Sequence, residues 1–145
     1  MDRDGLIRWV AEAALSPEER LDFLGMCEAR SVEDLAADRG RVGGHLRAME
    51  RGADEGAAFD LDRARLIAAT LDALIKGAPS LTFEQRRLLA GAVEYFVATD
   101  DLIDDYGAAH GLDDDARVVA AVCRALDRPD LALRLEDPSA ARDAS

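Results

Sequence analysis

Apolar residues recur along most of this chain at intervals of three and four, the spacing that gathers side chains on one face of an α-helix. From Gly5 to Leu15 the positions Leu6, Trp9, Val10, Ala13 and Ala14 form such a stripe, with Trp9 expected as its core anchor. Ser16-Pro17-Glu18-Glu19 then supplies a hydroxyl cap, a proline at the first helical position and the acid of a capping box. The helix it opens is expected to present Leu21, Leu24 and Met26, with Cys27 alongside. Ser31-Val32-Glu33-Asp34 repeats the start signal, but Gly40, Gly43 and Gly44 follow at about 1 kcal/mol each relative to alanine, which predicts a broken or bent helix.

The small, polar run between Arg51 and Phe59 reads as a loop or linker. Beyond it, Asp60 is placed to cap a helix carrying Ala64, Ile67, Leu71 and Leu74 on one face, with Gly77 and Pro79 ending it. Thr82-Phe83-Glu84-Gln85 forms a further capping box. It opens a helix to Ala98 whose Leu89, Val93 and Phe96, flanked by Leu88, Ala92 and Tyr95, give a face wide enough for two neighbours. A last helix is expected from Asp113, carrying Val118, Val119, Val122, Cys123 and Leu126, with Pro129 interrupting it. The pattern predicts an all-α, soluble bundle of five to seven helices, with the 81–98 helix packed between the 60–76 and 113–126 helices. Residues 1–51 form a helical segment covering that bundle, 52–59 a linker, 60–136 the helical core and 137–145 a frayed tail.

Composition narrows the function classes. The chain has 145 residues, enough for one domain with a sizeable core, and only 5% are aromatic. Thirty acidic against eighteen basic side chains give a formal net charge of −12, which repels nucleic-acid phosphates and anionic membranes. No nucleic acid and no membrane are therefore expected as partners; Arg39, Arg41, Arg47 and Arg51 would have to gather into a basic patch to reverse the first expectation. Two cysteines, Cys27 and Cys123, make no framework or close metal-binding pair, and no export signal opens the chain, so a reducing, cytoplasmic setting is expected. No serine, cysteine or lysine nucleophile stands beside a base at a recognisable spacing, so no catalytic residue is assigned.

The most informative stretch holds Asp100, Asp101, Asp104, Asp105, Asp113, Asp114 and Asp115 with no lysine or arginine between Asp100 and Asp115. In a helix, Asp100 would sit over Asp104 and Asp101 over Asp105, each like-charged pair costing roughly 0.2–0.5 kcal/mol. The compensator is open between a hard cation, Mg²⁺ or Ca²⁺, and arginines from this chain or from another protein. Arg86, Arg87 and Arg117 are the nearest in sequence. Asp113 to Asp115 also read as ordinary acids in a helix's first turn. His110, between the clusters, is a potential acid, base or ligand, or simply a loop histidine.

Tyr95-Phe96-Val97-Ala98-Thr99-Asp100-Asp101-Leu102-Ile103-Asp104-Asp105, followed by Gly111-Leu112-Asp113-Asp114-Asp115-Ala116-Arg117-Val118-Val119, resembles the YkvA-like domain, a bacterial family of unknown function. The resemblance covers roughly residues 81–126. It implies a helix ending in an aromatic pair, a turn whose acids are Asp101 and Asp105, a loop glycine at Gly111, and Asp114 with Asp115 opening the next helix. Thr99 and Asp104 stand where that family usually has prolines. The resemblance implies that the acidic clusters meet across a short loop and assigns them no chemistry.

Two functions follow as expectations. The first is a non-enzymatic interaction or regulatory module, engaging a basic protein surface or a divalent cation through an edge that includes Asp100, Asp104, His110 and Asp113. The second is a divalent-metal-dependent enzyme acting on a phosphorylated substrate, with Asp101, Asp105, Asp114 and Asp115 as ligands. Self-association into a homo-oligomer is compatible with either.

Overall fold

A computed structural model describes residues 5–54, 61–97 and 108–136; for residues 53 and 108–114 it describes the backbone alone. Among the described residues there are seven α-helices and no strand: α1 (Gly5–Ala14), α2 (Pro17–Met26), α3 (Val32–Asp54), α4 (Leu61–Lys76), α5 (Phe83–Val97), α6 (Ala108–Ala125) and α7 (Pro129–Glu136), with a 3-10 turn at Ala78–Ser80. The architecture is all-α, as the periodicity predicts. None of these helices is long and apolar enough to cross a membrane.

The helix starts obey their capping chemistry. The Ser16 hydroxyl accepts from the Glu19 amide at 3.4 Å and donates to the Glu19 carboxylate at 2.7 Å. Ser31 accepts from the Asp34 amide at 3.0 Å, and Thr82 exchanges reciprocal bonds with Gln85 at 2.9 and 3.1 Å. Each satisfies amides that a helix start leaves without intrahelical partners.

Helix α5 is central, with α1, α2, α3, α4 and α6 all packing on it. Its Leu88, Leu89, Ala92, Val93 and Phe96 are fully buried, in one continuous core with Ile7, Phe23, Leu35, Ile67, Leu71 and Val122. The first three of those partners come from the amino-terminal part, so both halves of the chain share that core. Helix α2 runs antiparallel to α5: the Tyr95 hydroxyl donates to Glu19 at 3.0 Å, and Arg87 donates to the Cys27 carbonyl at 3.1 Å. Between these bonds α2 rests on Gly91, where an added Cβ would lie 2.4 Å from the Cys27 Sγ and 3.2 Å from the Phe23 ring. Helix α6 is antiparallel to α5 as well, since the Gln85 amide at the start of α5 reaches the Ala125 carbonyl at the end of α6. Helices α3 and α4 are tied by Arg39 to Asp72 and Arg65 to Glu50.

Several expectations are corrected. Trp9 is 48% exposed, because α1 buries Ile7, Val10, Ala11 and Ala14; that stripe shares Val10 and Ala14 with the predicted one but is rotated away from Trp9. In α2 the buried residue is Phe23, while Leu21 is 75% exposed. Helix α3 runs unbroken through all three glycines to Asp54, so residues 52–54 are helical rather than linker. Tertiary support outweighs the propensity cost there: Leu35, Val42 and Met49 bury one face of α3 in the core.

Helix α4 ends as expected at Gly77, but with φ −88° rather than a left-handed conformation, and the chain turns through the 3-10 segment containing Pro79. Helix α6 ends before Pro129. Asp127 adopts φ 63°, and the Asp127 and Arg128 amides bond the Arg124 and Cys123 carbonyls, the paired bonds of a Schellman cap. Pro129 then opens α7, which folds back on α6 and buries Leu131, Ala132 and Leu135.

Candidate functional site

Asp100, Asp101, Asp104 and Asp105 lie outside the described residues. The later members of the constellation belong to α6, which starts at Ala108. His110 and Gly111 are therefore in helical backbone, where a loop was expected. Asp113, Asp114 and Asp115 occupy the second and third turns rather than the first, so they do not act as helix-opening caps. The Ala108-Ala109 pair explains the earlier start, since alanine has the highest helix propensity of any residue.

Asp115 is the one predicted site residue whose side chain is described, and it is fully buried. Burial of a carboxylate is costly without compensating polar contacts, and Asp115 is not left without a partner. Ala116 beside it is buried, and the following Arg117 is exposed. Ala116 and Arg117, with Arg63, Leu135 and Glu136, line a hollow of about 220 Å³ between α4, α6 and α7. The positive charge of Arg117 also reaches Glu19. That carboxyl is held below its ordinary range, first by the Ser16 hydroxyl and then by the Tyr95 hydroxyl, against opposing burial.

Most other described cations are already committed. Arg41 contacts both Asp38 and Glu94, and Arg30 reaches Asp38 at 2.9 Å. Asp38 is 1% exposed, and its Oδ2 and the Arg30 Nε are buried without hydrogen-bond partners among the described residues. The Glu94 bond raises the already high Arg41 pKa, and reciprocally holds Glu94 low. Arg39 pairs with Asp72, which Lys76 also contacts at 3.2 Å. Arg39 and Arg41 are thus removed from the basic patch that nucleic-acid binding would require.

Arg86 and Arg87 occupy the start of α5, where Arg86 donates to the Leu81 carbonyl and Arg87 to the Cys27 carbonyl. From Arg87 to the end of α5 is about 15 Å along the axis. The buried Asp38 network was not visible in the sequence: a lone aspartate inside a helix gives no sign of its burial. Its partners are Arg30 from the connection before α3 and Arg41 one turn on, which in turn reaches Glu94 of α5.

Among the described residues, no group of three or more histidine, cysteine, aspartate or glutamate side chains could hold a metal ion. The largest of the described cavities, about 440 Å³, lies at the opposite end of the α5–α6 pair, lined by Leu74, Gly77, Ser80, Leu81, Gln85, Leu126, Asp127 and Arg128. No family model, curated protein or solved structure matches the chain.

Proposed function

We propose that the protein is a non-enzymatic interaction module whose aspartate-rich stretch, residues 100–115, receives a basic protein surface. The observation that carries this reading is the antiparallel α5–α6 pair: α5 ends at Val97, and the turns of α6 bearing Asp113, Asp114 and Asp115 lie towards that same end of the bundle. Besides the buried Asp115, six aspartates crowd residues 100–114 of a chain of net charge −12, a density of negative charge suited to steering cationic partners. The similarity of residues 81–126 to the YkvA-like domain accords with a helical scaffold presenting these acids.

The test is binding of a labelled arginine-lysine peptide, followed by fluorescence anisotropy. Changing Asp100, Asp101, Asp104 and Asp105 together to asparagine is expected to weaken binding by about tenfold or more at low salt. Neutralising Glu28, Glu33, Asp127 and Asp130, all exposed and away from the Val97 end of α5, is the control of equal charge change. Equal losses in the two variants refute the assignment, because net charge alone then accounts for binding. Melting unchanged by EDTA, Mg²⁺ or Ca²⁺ is expected; a melting temperature that climbs with cation concentration replaces the protein partner with an ion.

A further inference from the structure

Helix α3 carries an expense that no packing among the described residues explains. Gly40, Gly43 and Gly44 each cost about 1 kcal/mol in a helix interior. Yet a Cβ at Gly40 would meet nothing within 4 Å, and at Gly43 or Gly44 only the flexible Arg47 guanidinium, at 3.4 and 3.9 Å. Gly91, by contrast, is required by α2 pressing on it.

On the same face, Glu33, Ala37, Gly40, Gly44, Arg47 and Arg51 follow one another at spacings of four, three, four, three and four, the seam register of paired helices. All but the half-buried Gly44 are exposed. The charges on the seam, Glu33, Arg47 and Arg51, form no ion pair among the described residues, whereas Arg39 and Arg41 on the same helix are both paired.

We propose that this face of α3 docks on the same face of a second copy, the two helices antiparallel about a two-fold axis level with residue 42. That arrangement sets Glu33 of one copy against Arg51 of the other, Ala37 against Arg47, and Gly40 against Gly44. A parallel pairing would stack Glu33 on Glu33 and each arginine on itself, so the charge register selects the antiparallel one. The glycines let the two backbones approach closely. The seam is about 27 Å long and buries roughly 300 Å² per copy. Stable interfaces bury about 1,200 Å² or more in total, so the association is weak and transient.

Sedimentation equilibrium up to millimolar protein, with melting curves to confirm folding, tests the assignment. Glu33→Arg and Arg51→Glu are each expected to weaken self-association about tenfold, and the double exchange to restore it to within about threefold of the parent. Gly40→Leu is expected to raise the melting temperature, since the site is open and leucine favours helix, while abolishing the dimer. A chain that stays monomeric throughout overturns the proposal. So does a dimer indifferent to these substitutions, or one that the double exchange fails to restore.

Discussion

Replacing Gly91 by alanine tests the packing of α2 on α5. The added Cβ would lie 2.4 Å from Cys27 Sγ and 3.2–3.3 Å from two carbons of the Phe23 ring. Ordinary contact begins near 3.4 Å, so the sulfur must move by about 1 Å, and neither neighbour is free to yield. Phe23 is fully buried, and Cys27 ends α2 with its amide bonded to Phe23 and Leu24 carbonyls and its own carbonyl held by Arg87. Overpacking of this kind costs about 1–3 kcal/mol, and two obstructed neighbours argue for the upper part of that range. Helix propensity returns about 1 kcal/mol. The net expectation is a loss of about 2 kcal/mol, or roughly 4–8 °C in melting temperature for a chain of this size.

Urea and thermal unfolding of the parent, Gly91→Ala, Cys27→Ala and the double variant measure it. Gly40→Ala serves as the comparison, because it gains the propensity term at an open site. The double variant should recover about 1 kcal/mol or more relative to the sum of the singles, since the sulfur is then gone. A Gly91→Ala protein as stable as Gly40→Ala would refute the packing argument.

The remaining predictions concern the cap and the titrating groups. Asp127→Gly should stabilise by about 1 kcal/mol, because glycine adopts φ 63° without Cβ strain, and Asp127→Val should do the reverse; urea midpoints check both. Glu19 and Glu94 are held below their ordinary 4.5, so their contribution is fully present above that pH and is lost as pH falls through the lower folded values. Glu94→Gln should accordingly flatten the acid limb of a stability profile taken from pH 7 to 3. Burial pushes the Cys123 thiol up to about 12 against an ordinary 9.0. Native protein should therefore react with a thiol reagent at pH 8 only as fast as it opens, and stability should fall above pH 9, where the unfolded thiol ionises and the folded one does not.

What was legible in the sequence was local. Ser16, Ser31 and Thr82 each mark a helix start with a hydroxyl and a partner three residues on. All three hydroxyls accept from that partner's amide, although the return bond to the cap amide forms only at Ser31 and Thr82. The stripes of α4 and α5 were legible too, because those helices bury broad, unambiguous faces. In α1 and α2 two stripes compete, and the choice depends on where α5 and α6 lie. Trp9 and Leu21 are the larger hydrophobes of the losing stripes, while Ile7 and Phe23 face the core. Helix α3 survives its glycines for the same reason: propensity is counted residue by residue, whereas its buried residues are held by other helices.

Charge shows the same division between local and distant information. The density of aspartates from residue 100 to 115 is plain in the sequence, but whether cations of this chain are available to them is a question of the fold. Arg30, Arg39, Arg41, Arg65, Lys76, Arg124 and Arg128 all contact acids outside that stretch: Asp38, Glu50, Asp62, Asp72, Glu94, Asp130 and Glu136. Drawing any of them to the aspartates would leave a carboxylate behind, and for Asp38 a buried one, at a cost of about 3–5 kcal/mol. The bundle therefore holds much of its positive charge in place. A cationic surface brought by another protein, as proposed above, meets the aspartates without dismantling those pairs.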